Sequence, residues 1–564
     1  MHVRQHLPCV SVKVFCFLVL ALAHAIAVQN NPASQPDPAP QKGIADFARE
    51  NRGEKSKATP EAPEEAGPQK SLSEFAAERR AKRQAEVKLN EKEVTELLKD
   101  LTEITDFASS DTGFPEHNRV KHQIVGQDDV KRYWSAALSS SAEAERLARS
   151  ELVLKKFGYL PHDFTLKKYL VDNAADGLGG FYDPRTKTMN LVNWVGLEHQ
   201  RPIMAHELTH ALQDQNFDLM QWEHKVSRRP QGKGMRVDSD EAQEADARRA
   251  VIEGQAMVVF FDYLLRPYGH TLAETPSAVD FINARLTSSY DTSLVVHNAP
   301  LLFKESAMFP YREGLLFELE LLKKEGINGA FRDLFAHPPI DSHQILEPKA
   351  YFSGEKIAPV IIPDISAALG DGYEPYDSGT IGQLDIRVMA QQLGTENDMF
   401  TITPAWKGGS YIAARRSSAT KQESLETADI ALIYVSRWKE AAAAQRFAEI
   451  YKKSLAKRMG VTDEQQLDGH ACVASHCAIW ATRVGTSEGP AFIEIWPNHT
   501  VFISQSFPDE IVARLRSRVL LHGAQARAAM PGLDLNQRVQ SLPGFQAFRT
   551  EVERSLLTNL LRAE

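Results

Sequence analysis

The segment Pro202-Ile-Met-Ala-His-Glu-Leu-Thr-His-Ala-Leu-Gln-Asp214 limits what this chain can fold into more than any other stretch. Ile203, Met204, Leu208, Ala211 and Leu212 recur at helical spacing and predict a largely buried helix. Pro202 is expected to open it in the first turn, where the missing N–H of proline costs nothing. Into that apolar helix the sequence inserts His206, Glu207 and His210. Residues four apart lie one above the other, so two imidazoles project side by side with a carboxylate between them. Polar groups placed on a buried helix need partners, and one metal ion serves both histidines at once. The bland alternative is a helix carrying two structural histidines.

Two ligands do not make a catalytic metal site, so a third is expected further along. A strongly apolar helix is predicted from about Ala242 to Leu265, and Glu253 lies in its apolar part. Its neighbours Gly254 and Ala256 are small enough to let another helix come close. A carboxylate in such a place is either a metal ligand or half of an ion pair, for which Arg249 stands one turn back. Glu244 and Asp246 are the reserve ligands. In this scheme Glu207 is left over as a general base that takes a proton from water on the ion. A purely structural site has no need of an acid between the two histidines. An oxyanion stabiliser would come from later in the chain, with Tyr311 and His343 as candidates.

The order His206-Glu207-x-x-His210, then a glutamate on a second helix, resembles the gluzincin metallopeptidases, the thermolysin-like class of zincins. No later histidine has the spacing of the metzincin pattern. One departure stands out: the thermolysin relatives carry an acid four residues after the glutamate ligand, and here that residue is Met257. Asp214 or Asp246 would then have to orient a ligand. More broadly, Gly180-Phe-Tyr-Asp-Pro184, the stretch His206 to Gln215, Glu253-Gly-x-Ala256, Phe309-Pro-Tyr-x-x-Gly314 and Gln344-Ile-Leu-x-Pro348 resemble a group of secreted bacterial proteins. The gluzincin resemblance implies a bound Zn2+, a protein or peptide substrate, and an α+β, zincin-like, mainly helical catalytic domain, whereas the broader one implies little about substrate. Phe181 to Trp194, two β-prone segments around an Asp-Pro turn, reads as a hairpin. By the same likeness it supplies the edge strand on which an extended substrate pairs.

Around this centre the chain divides into four expected regions. Residues 1–27 read as a signal peptide: Arg4 and Lys13, an apolar run from Val14, and small residues at Ala23, Ala25 and Ala27. The run is short of the roughly 20 residues a membrane span requires, so export to the periplasm or the extracellular space is expected, with no stable span. Residues 28–95 are a disordered, charged linker with a solvated helix toward its end. Residues 96–360 form the catalytic domain, including helices over Glu143–Phe157 and Tyr311–Lys324. Residues 361–564 form an α/β accessory domain with strands at 410–415, 430–435, 478–484, 491–496 and 500–504 and helices at 438–457 and 509–521. Trp406, Trp438, Trp480 and Trp496 belong to its core.

Cys9 and Cys16 would leave with the signal, and Cys472 and Cys477 would remain to form a disulfide. The competing reading is a metal site formed with His470 and His476. The net charge of −9 argues against nucleic acid as a partner. Two rivals to a zinc metallopeptidase stay open: a non-catalytic binding or scaffold protein on a zincin fold, and a zinc hydrolase of a non-peptide substrate.

Overall fold

The computed structural model describes residues 89–525 except 131, 133–140, 174–178, 225–238, 289–298, 420–425, 468, 470 and 475. The expected signal peptide and most of the expected linker lie outside the described residues, as does His470. The described chain is a mixed α+β fold. A helix-rich part carries a three-stranded sheet, and a seven-stranded sheet follows it.

Helix α1 (Glu91–Lys99) starts on Asn90, whose side chain accepts the Lys92 and Glu93 N–H groups while Glu93 reaches back to the Asn90 N–H. It is followed by α2 (Leu101–Thr112), β1 (Lys121–Val125) and α3 (Ser141–Phe157). The predicted hairpin is present as β2 (Gly180–Asp183) and β3 (Thr188–Val192), paired antiparallel. What periodicity did not disclose is β1, which pairs parallel to β3 from its other side. The order β1-β3-β2 therefore leaves β2 as an edge.

Helix α4 (Leu197–Phe217) corrects the expected start: five residues precede Pro202, which sits inside the helix. The extra turn is fastened by contacts distant in sequence. Buried Gln200 donates to the carbonyls of Gly179 and Val192, and Arg201 pairs with Asp100, the residue joining α1 to α2. These bonds compensate for the one that Pro202 cannot make. Helix α5 (Ser239–Leu265) follows the expected course. Helix α6 (Leu301–Ile327) begins ten residues before the expected start and runs through Pro310. Leu302, Phe303, Ala307 and Met308 are buried in that added length, so packing holds the helix where proline propensity would end it. A π-helical turn, Asn328–Asp333, follows directly.

The second sheet comprises β4 (Tyr373–Thr380), β5 (Trp406–Arg416), β6 (Ile430–Trp438), β7 (Val461–Gln466), β8 (Trp480–Thr486), β9 (Gly489–Trp496) and β10 (Thr500–Gln505), in the order β4-β5-β6-β10-β9-β8-β7. Every neighbouring pair is antiparallel, so the α/β layering expected here is corrected to helices packed on an antiparallel sheet. Successive strand residues face opposite sides. Leu432, Tyr434, Ile493 and Ile503 join the core shared with α4, α5 and α6, together with α7 (Gln383–Leu393) and α8 (Ala441–Met459). Ile433, Val435, Phe492 and Phe502 face α9 (Asp509–Gln525) instead. Strand β7, exposed along its length and polar except for Val461, offered no alternation to read. Trp406 and Trp438 are buried in the core shared with α4, α5 and α6, against which half-buried Trp480 packs, and Trp496 is buried on the α9 side. Cys472 and Cys477 are joined as a disulfide. Among the described residues no helix is long and apolar enough to cross a membrane.

Candidate metal centre

Three helices and one strand converge on the centre. Helix α4 supplies His206, Glu207 and His210, α5 supplies Glu253, and α6 supplies Tyr311. Helices α4 and α6 both pack on α5, which places Glu253 between them. All five side chains are buried. Strand β2 lies across α4 at Glu207: a methyl on Gly180 would stand 3.3 Å from Glu207 Cγ, and one on Gly179 would stand 2.7 Å from Ile203 Cδ1. The two glycines allow that approach, and from there the Tyr182 N–H donates to the Glu207 carboxylate.

His206 Nε2 and His210 Nε2 are 3.1 Å apart, and Glu253 Oε2 lies 3.2 Å from the first and 3.3 Å from the second. Among the described residues these three form the one group whose geometry could hold a metal ion. The donor set fits zinc in kind and in spacing. Tetrahedral zinc with bonds near 2.0–2.1 Å separates its ligand atoms by about 3.3 Å. Glu253 is thus the acid of α5 brought to the histidines, and its carboxylate is engaged by His206, His210 and the Tyr311 hydroxyl.

The electrostatics separate the two glutamates. Burial opposes ionisation of Glu253, but His210 and His206 bonded to it hold its carboxyl far below the usual range. Burial raises Glu207, and the two histidines only partly offset that. Burial likewise opposes charge on His210, yet the Glu253 carboxylate beside it lifts its pKa to about 9. Tyr311 is raised well above the phenol range by burial and by both glutamates.

Other sequence candidates lie elsewhere. His343 is buried in the short helix Ser342–Leu346, with Nδ1 2.8 Å from Gln383 Oε1 and Nε2 3.8 Å from Glu355. Of the two oxyanion candidates, Tyr311 is therefore the one brought to the group of His206, His210 and Glu253. The ligand-orienting role considered for Asp214 is corrected as well. Asp214 accepts the Tyr182 hydroxyl at 2.6 Å and the Lys187 ammonium at 2.7 and 2.9 Å, tying α4 to the hairpin. His210 is instead bonded by Gln213, whose Oε1 lies 2.9 Å from Nδ1. The available sequence signal was that residues three apart on a helix can touch. The disulfide consumes both thiols of the competing Cys–His metal reading.

Searches against protein-family models, curated proteins and solved structures found no match for the chain.

Proposed function

We propose that this chain is an exported zinc-dependent hydrolase acting on peptide bonds, with His206, His210 and Glu253 as the metal ligands and Glu207 as the general base. The observation that carries the reading is the triangle of donor atoms with edges of 3.1, 3.2 and 3.3 Å, two imidazole nitrogens and one carboxylate oxygen. Zinc held there would supply Lewis-acid polarisation of a carbonyl and an acidified water. Glu207 takes the proton of the attacking water and returns it to the leaving nitrogen, while the Tyr182 N–H steadies its carboxylate. Tyr311 donates its hydroxyl to a developing oxyanion in this reading, which is supported by its contact with Glu253 of the same group. Strand β2, at the edge of its sheet among the described residues, would offer main-chain groups to an extended substrate. Export is supported by the Cys472–Cys477 disulfide, a bond that persists in oxidising compartments.

The test is a contrast between two isosteric variants in the purified protein. Glu207→Gln is expected to keep about one zinc per chain and to lose at least ~10²-fold in peptidase activity. Glu253→Gln is expected to lose zinc as well, because a neutral amide is a poor ligand. Equal activity of Glu207→Gln and wild type on a substrate that wild type cleaves would remove Glu207 from the mechanism. Zinc binding with no hydrolysis of any peptide substrate would favour the scaffold reading.

A further inference from the structure

Beneath His210 a chain of buried amides runs away from the centre. Gln213 Oε1 lies 2.9 Å from His210 Nδ1. The Gln213 amide nitrogen donates to Ile252 O at 3.1 Å and to Gln255 Oε1 at 2.8 Å. The Gln255 amide nitrogen donates in turn to two successive carbonyls, Ala330 at 2.9 Å and Phe331 at 3.1 Å. Both glutamines are fully buried, so no solvent competes for these bonds.

The direction of the chain is set from its far end. A carbonyl oxygen only accepts, so the group of Gln255 facing Ala330 and Phe331 must be its NH2. Its oxygen then faces Gln213, which must answer with its own NH2, and the Ile252 carbonyl imposes the same choice. That leaves the Gln213 oxygen toward His210, where only a donor makes a bond. Nδ1 must therefore carry the hydrogen, which leaves the Nε2 lone pair of the neutral ring pointing at His206 and Glu253. The π-helical turn Asn328–Asp333 contributes the two carbonyls at the start, and such wide turns are rare.

We propose that Gln213, oriented through Gln255 by the carbonyls of Ile252, Ala330 and Phe331, is a positioning residue that holds His210 in the Nδ1–H tautomer and so presents Nε2 as a metal ligand. The proposal rests on reading His206, His210 and Glu253 as a zinc site. It also accounts for the residues that follow the second histidine. Gln213 orients it, Asp214 fastens the hairpin, and Gln215 accepts the N–H groups of His117 and Asn118.

The test compares Gln213→Met with Gln213→Glu in the full chain, reading zinc affinity by competition with a chromophoric chelator and stability of the metal-free protein by thermal unfolding. Both variants lose the donors to Ile252 and Gln255, but only Gln213→Glu keeps an acceptor for the His210 N–H. Gln213→Met is expected to bind zinc about 10–100-fold more weakly, the usual cost of losing a partner of a ligating histidine. Gln213→Glu is expected to stay close to wild type in affinity while its stability falls at least as far. Equal loss of affinity in the two variants, in step with their stability, would reduce Gln213 to a packing residue and overturn the proposal. Wild-type affinity in Gln213→Met would do the same. If Gln213→Met does not fold, Gln255→Met reads the chain from its other end: weaker zinc binding supports the relay, and unchanged binding overturns it. A wild-type protein that binds no zinc would overturn the metal site itself, an outcome that the variants cannot imitate.

Discussion

Gly254 and Gly314 lie back to back where α5 crosses α6. A methyl on Gly254 would overlap the Gly314 carbonyl, and a methyl on Gly314 would overlap the carbonyl of Ala250. The two backbones thus touch beside Glu253 and three residues from Tyr311, which is how a ligand on one helix meets a hydroxyl on the other. Gly254→Ala and Gly314→Ala are each expected to force the helices apart at a cost of about 1–3 kcal/mol, the usual penalty of overpacking. Thermal unfolding measures that cost, and a zinc titration should show weaker binding for both. An unchanged melting temperature would mean that the helices can separate freely, and that the close crossing does not build the site.

A second expectation concerns pH. Asp111 on α2 and Asp262 on α5 are buried carboxyls whose pKa values both lie above the usual carboxylate range. Burial raises Asp111 from 3.8 to about 7. Burial, with the Asp111 carboxyl beside it, raises Asp262 from 3.8 to about 8. Folded pKa values above the unfolded ones mean that the unfolded chain releases these protons first. Their contribution is intact below about pH 4 and is lost progressively as the pH climbs to about 8. Asp262→Asn keeps an oxygen for the Leu272 N–H and removes the titration. It should melt higher than wild type at pH 8, with the gap closing at pH 4. A gap independent of pH would show that the pair does not titrate in this range.

A third expectation concerns the joint between α6 and the sheet layer. Arg312 bonds Glu305 at 2.8 Å and Glu313 at 3.0 Å, and Arg387 of α7 bonds the same two acids at 3.2 and 2.7 Å. Burial opposes ionisation of Glu313, yet the two guanidinium groups hold its carboxyl below the usual range. Arg387→Met leaves two buried carboxylates facing one arginine, and urea denaturation should show a loss of about 3–5 kcal/mol. Adding Glu313→Gln to the same chain should restore part of that loss by restoring the charge balance. If the double variant is no more stable than the single one, the cluster acts through packing and not through charge.

Much of this was legible before any fold was known, because it depends on spacing along a single helix. The i, i+4 relation of His206 and His210 with Glu207 between them, the buried character of α4 and α5, the β2–β3 hairpin and the pairing of Cys472 with Cys477 follow from local geometry and composition. The register between elements was not legible. Glu244, Asp246 and Glu253 share one helix, and Asp246 stands two turns, or about 10 Å, from Glu253 along it. Asp246, on the same face as Glu253, could have met the histidines had the helices crossed at another level, and the crossing level is a property of how α4, α5 and α6 pack together. Gln213 and Asp214 likewise both lie within one turn of His210, and only the hairpin, by taking Asp214 through Tyr182 and Lys187, leaves the histidine to Gln213. Sequence spacing determines which side chains share a face, because the helix repeat is the same in every chain. Which of them meet a partner is decided by contacts between segments far apart in sequence, and those exist only once the chain has packed.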